Sequence, residues 1–134
     1  MVTEQDIESF MIRMGASYRE LGRKTWMLRD SEELVESLIV SLNDPVVVFH
    51  VKLLEIPTDC DRLGLYEELL RLNASEMIHG AYGLDGNNVV ANDTLQAENL
   101  DFNEFQASVD ALNLAITSHY KRLSAFVKTE KPKP

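Results

Sequence analysis

Cysteine is almost missing: Cys60 is the single one in 134 residues. This excludes an intrachain disulfide and any zinc site built on thiolates. Such sparse cysteine fits a reducing compartment, and a cytoplasmic location is the matching expectation. No run approaches the roughly 20 apolar residues that a membrane-spanning helix needs. The residues after Met1 lack the apolar core of a secretory signal, so the triplets Asn73-Ala74-Ser75 and Asn92-Asp93-Thr94 carry no glycosylation meaning. Also missing are a Gly-rich phosphate loop, a nucleophile elbow and an H-E-x-x-H pair, which removes the common signatures of nucleotide and hydrolytic chemistry. No catalytic, cofactor-binding or metal-ligating residue is singled out, and no cofactor is expected.

Positive charge is the scarcer sign, with 13 Lys and Arg against 22 Asp and Glu and a net charge of −9. Five of those cations, Lys121, Arg122, Lys128, Lys131 and Lys133, fall in the last stretch against Glu130 alone. An acidic body repels phosphate backbones and anionic lipid surfaces, so neither nucleic acid nor membrane is an expected partner. Length and an ordinary apolar share of 45% predict one self-sufficient domain. Residues 1–127 are assigned to it, and residues 128–134, with Pro132 and Pro134, read as a disordered basic tail.

Apolar spacing supplies the elements. Ile7, Phe10, Met11 and Met14 mark a helix capped by Thr3, with Asp6 completing a capping box. Tyr18 and Leu21 begin one short strand, and Thr25 to Leu28 make another. Trp26 there reads as a core anchor, the alternative being a ligand-contacting aromatic. Leu34 to Glu55 reads as a long hairpin turning at Asn43-Asp44-Pro45, with Val47, Phe49, Val51 and Leu53 on one face and His50 and Lys52 on the other. Leu65, Leu69 and Leu72 mark the next helix, capped by Thr58 or Asp59, starting late because of Gly64, and ended by Asn73 in a turn. A hairpin turning at Asp85-Gly86-Asn87-Asn88 follows, with Ile78, Tyr82 and Leu84 sharing a face before it. Val89, Ala91 and Leu95 share one after it, and Asp93 marks a bulge or the strand's end. Asp101 caps the final helix, Glu104 follows three residues on, and Leu100 staples to Phe105. From Phe102 to about Phe126 that helix runs roughly 37 Å, long enough for its end to project.

Candidate chemistry is thin. His50, His79 and His119 lie on separate elements and read as surface or structural histidines. Asp59-Cys60-Asp61 is a weak cation match, better explained as acids complementing a helix N-terminus. Cys60 as a nucleophile requires a positioned base.

The succession Leu69-Leu70-Arg71-Leu72-Asn73, Gly80-Ala81-Tyr82-Gly83-Leu84-Asp85, Val89-Val90 and Leu100-Asp101-Phe102-Asn103-Glu104-Phe105 resembles the YbjN-domain proteins and the related type III secretion chaperones of the Tir-chaperone class. The resemblance implies an α+β fold, order α-β-β-β-α-β-β-α, with a single antiparallel sheet and helices packed on it. It also implies a homodimer and, for the chaperone branch, capture of an extended segment of another protein. Three functions follow as expectations: a non-enzymatic, chaperone-like protein-binding module; a small-ligand-binding regulatory domain of the YbjN type; and, least supported, an enzyme.

Overall fold

The computed structural model describes residues 2–29 and 38–128. Helix α1 (Glu4–Arg13) leads into strands β1 (Ser17–Gly22), β2 (Thr25–Arg29), β3 (Leu38–Asn43) and β4 (Val46–Glu55). Helix α2 (Arg62–Ser75), strands β5 (Ala81–Asp85) and β6 (Asn88–Gln96) and helix α3 (Phe102–Val127) complete the chain. The six strands form one antiparallel sheet in the order β1-β2-β3-β4-β6-β5. Four strands precede α2, one more than the order implied by the resemblance. The pair β1–β2, joined by a tight bend with Lys24 at positive φ, supplies the extra one.

All three helices cover the same face of the sheet. Ile7 and Met11 of α1, Leu65, Leu69 and Leu72 of α2, and Phe105, Val109, Leu112, Ile116 and Leu123 of α3 join one core cluster. The strands contribute their alternate residues, Trp26, Leu28, Val40, Val47, Phe49, Val51 and Ala91. Phe105 sits at the centre, its ring 5.3 Å from Phe49 below and 5.4 Å from Phe10 of α1. Trp26 is the expected core anchor, and its indole N–H donates to Glu8 of α1 at 3.3 Å.

The helix ends follow their caps. Thr3 and Asp6 form the reciprocal capping box, and the Asp101 carboxylate accepts from the Glu104 amide at 2.8 Å. Two expectations about α2 are corrected. Its cap is Asp61 rather than Thr58 or Asp59, the carboxylate accepting from the Gly64 amide at 2.9 Å. The helix therefore starts before Gly64, because the cap satisfies the backbone there and Gly64 leaves room for that carboxylate. Asn73 does not end α2, which runs on to Ser75. Its side chain instead bonds both backbone groups of Tyr82, accepting from the amide at 2.7 Å and donating to the carbonyl at 3.1 Å. That replaces ladder partners along the outer side of β5 and ties α2 to the sheet edge.

Two further corrections concern the second hairpin. Ile78 lies before β5 and is 82% exposed, so it shares no strand face with Tyr82. Asp93 neither ends β6 nor marks its bulge. It pairs with Phe49 on the core side, where its carboxylate accepts from the Ser108 hydroxyl of α3 at 2.8 Å. The register shift lies between Lys52 and Leu54 of β4. The expected strand residues Leu34 to Ser37 and the tail beyond Lys128 lie outside the described residues.

Candidate protein-binding surface

Three surfaces remain after the core is closed. The first is the pair of sheet edges. β1 is exposed along nearly its whole length and, among the described residues, is paired on one side only, which leaves one row of its backbone groups for another strand. The opposite edge, β5, is partly occupied by Asn73.

The second is apolar. Leu63 and Leu70 of α2 are 79% and 69% exposed. They lie seven residues apart, on the helix face turned away from Leu65, Leu69 and Leu72. Ile12 of α1 and Leu114 of α3 are exposed as well. A helix that keeps leucines on its outer face retains an association surface that water disfavours.

The third is the sheet face opposite the helices. The register places Arg19, Met27, Ile39, His50 and Asn92 in one cross-strand row, and Thr25, Ser41, Val48 and Thr94 in the next. Met27, Ile39, Val46 and Val48 are half-buried and belong neither to the core cluster nor to the residues packed against it, whereas Val90 on the same face is buried. His50 and Lys52 fall on this wetted face as expected, and the His50 ring is hydrogen-bonded to the Asn92 side-chain oxygen across β4 and β6.

Titratable groups gather elsewhere, beneath the β5 edge. His119 is 3% exposed, with Nδ1 2.7 Å from the Tyr82 hydroxyl and Nε2 3.3 Å from Glu76 at the end of α2. Arg122 completes the group, 3.4 Å from both Glu68 and Glu76. A neutral imidazole fits if the Tyr82 hydroxyl donates to Nδ1 and Nε2–H donates to Glu76. The hydrogen bond from His119, reinforced by Arg122, holds the Glu76 carboxyl below its usual range. Burial, with the Glu76 charge adding to it, pushes the Tyr82 phenol well up. The cluster pins α3, α2 and β5 together and satisfies the expectation of a structural histidine for His119.

The Tyr82 shift gives a pH dependence. A phenol whose folded pKa is raised contributes stability that is complete below its unfolded value, about 10. That stability is lost as pH climbs from there toward the folded value. Urea midpoints are therefore expected to fall above pH about 10, and Tyr82→Phe to flatten that alkaline limb while costing stability at neutral pH through the lost bond to His119.

The remaining candidates lie apart from this cluster. Cys60 is half-buried, and its thiol bonds the Pro57 carbonyl at 3.5 Å, an acceptor too weakly basic to activate it. Asp61 caps α2, as an acid at a helix N-terminus does. His79 lies half-buried between α2 and β5. Among the described residues no three His, Cys, Asp or Glu side chains gather as a metal site, and no helix is long and apolar enough to cross a membrane.

An open six-stranded antiparallel sheet with three helices on one face is the architecture of type III secretion chaperones. The CesT_Tir_1 family model, which represents that chaperone family, matches residues 2–129, and the chain belongs to this family. The fold is shared with a chain of the ExoU–SpcU complex from the type III secretion system of Pseudomonas aeruginosa. That match has a TM-score of 0.68 at 18% identity and covers 91% of this chain and 98% of that one. E. coli YbjN matches with a TM-score of 0.70 at 15% identity, over 90% of this chain and 93% of that one. The Yersinia pestis type III secretion chaperone SycH, solved with a fragment of YscM2, matches with a TM-score of 0.57 at 18% identity, over 85% and 97%. No curated protein matches the sequence.

Proposed function

We propose that the chain is a non-enzymatic, cytoplasmic, chaperone-like module that acts as a homodimer and holds an extended segment of another protein. One observation carries the reading. Once the core is closed, the molecule keeps an open strand edge at β1 and solvent-facing leucines on α2, while its one buried histidine is committed to holding elements together. Strand addition at an open edge is a general way to bind an extended chain, backbone bonds giving affinity and alternate side chains selectivity. Family membership supports the same reading, as does the likeness in fold to the HopA1–SchA chaperone–effector complex, with a TM-score of 0.66 at 14% identity. One continuous core supports a single domain within residues 1–127.

Leu63 and Leu70 offer the surface for self-association. Light scattering is expected to give twice the chain mass, and Leu63→Glu with Leu70→Glu to give the single mass with helical content retained. The wild-type protein is expected to delay aggregation of a chemically unfolded model protein at equimolar ratio. A monomer that gives no such delay overturns the proposal.

One feature favours the small-ligand alternative: a groove of about 420 Å³ between α1 and the start of α3. Val2, Phe10, Leu100 and Phe102 supply its apolar lining, and the Arg13 guanidinium lies 4.0 Å over the Phe102 ring. Asp6 and Asp101 line the groove as well, so a thermal shift with small amphipathic molecules, abolished by Arg13→Gln, is the result that would turn the reading toward a regulatory domain.

A further inference from the structure

The open sheet face differs in charge from the rest of the body. Arg19 of β1, Arg29 of β2 and Lys52 of β4 all have the register of this face. The described strand carboxylates that share it, Glu55 and Asp85, lie together at one end, both in register with Asn88. Arg19 and Lys52 have no ion-pair partner among the described residues. Between them lie Met27 and Ile39, apolar side chains outside the core, with Val48 in the next row on the side away from Lys52. A chain whose net charge is −9 thus keeps half-buried apolar side chains flanked by cations on the sheet face that no helix of the described residues covers.

Resting on the protein-binding reading above, we infer that this face takes an acidic, apolar segment of the partner protein. Elimination narrows the occupant. A second copy laid face to face would set Arg19 and Lys52 against cations of their own kind. The basic residues of the chain's own end are repelled by the same groups. Long polyanions such as nucleic acid or an anionic bilayer extend past the face and meet the acidic body. A short segment feels chiefly what lies within a screening length of about 8 Å. With strands about 4.8 Å apart, Arg19 and Lys52 are separated by roughly 15 Å. An extended partner therefore presents carboxylates about four to five residues apart with apolar residues between them.

Fluorescence anisotropy with a short labelled peptide of Leu, Val and Glu tests this, alongside the same peptide with Gln in place of Glu. Wild-type protein is expected to bind the Glu peptide more tightly than the Gln peptide, despite its own negative charge. Arg19→Glu with Lys52→Glu, both outside the core, is expected to weaken the Glu peptide about tenfold and leave the Gln peptide unchanged. Equal binding of the Glu peptide to the variant overturns the assignment, as does its displacement by phosphatidylserine vesicles or single-stranded DNA. If the Gln peptide binds alone and aggregation is still delayed, the acidic-partner assignment falls and the chaperone reading stands. If neither peptide binds and aggregation is not delayed, both fall.

Discussion

Phe105→Ala is expected to lower the free energy of unfolding by about 3–5 kcal/mol, measured by urea denaturation at neutral pH. The ring is fully buried and stacks at tilted angles on both Phe10 and Phe49, so truncation removes the contact that joins α1, α3 and β4 at once. The loss is a large share of the 5–15 kcal/mol that holds a domain of this size, and the melting temperature should drop by roughly 10–20 °C. Phe105→Leu keeps apolar volume in the site and is expected to cost only about 1–2 kcal/mol. An alanine variant within 1 kcal/mol of wild type would show that α1 and α3 are not anchored to β4 through this ring. The effect should also reach the groove between α1 and α3, because Phe10 contacts Phe102 as well as Phe105.

Local chemistry made most of this architecture readable. The alternation of Val47, Phe49, Val51 and Leu53 assigns β4 and its buried face, since a period of two has no other reading at that length. The start of α3 was equally plain, because Leu100, Asp101 and Glu104 combine a staple and a cap within five positions. What escaped depends on contacts distant in sequence. Asn73 is a good helix terminator by conformation, but here it is held in the helix by the backbone of Tyr82, nine residues on. Asp93 looks like a strand breaker until Ser108 of α3 arrives to satisfy it. Asp61 displaces Thr58 and Asp59 as the cap because the segment before it is fixed from outside, its own amide bonding the Phe126 carbonyl at the far end of α3.

The surface divides in the same way. His50 and Lys52 could be assigned to the wetted face from their spacing alone. Their neighbours Arg19, Met27 and Ile39 could not, because a cross-strand row depends on register. β1 and β2 are too short, with burial in β1 too uniform, for their pattern to set it. The groove beside Phe102 joins residues about ninety positions apart and left no local trace. Its components are legible singly, Asp6 and Asp101 in helix caps, Phe10 in an apolar stripe and Leu100 in a staple, but their meeting is not.

Gly80→Ala is expected to cost about 2–4 kcal/mol, against about 1 kcal/mol for Gly86→Ala. Both glycines hold positive φ, +74° and +59°, so both substitutions carry the left-handed penalty of an L side chain. Gly86 sits at the exposed hairpin tip, where an added Cβ meets nothing. At Gly80 the same atom would land on the Asn92 backbone carbonyl, which belongs to β6 and cannot rotate away as a side chain would. The start of β5 must therefore move off its neighbour, pulling on the Ala81–Asn92 pairing and on the Tyr82 backbone that Asn73 holds. Because His119 reaches Tyr82 from the other side, the strain should spread to the buried cluster. Paired urea titrations give the two costs, and faster hydrogen exchange at the Tyr82 amide in Gly80→Ala alone locates the difference. Equal costs for the two variants would mean that β5 accommodates the methyl, and that this edge of the sheet is looser than its hydrogen bonds imply.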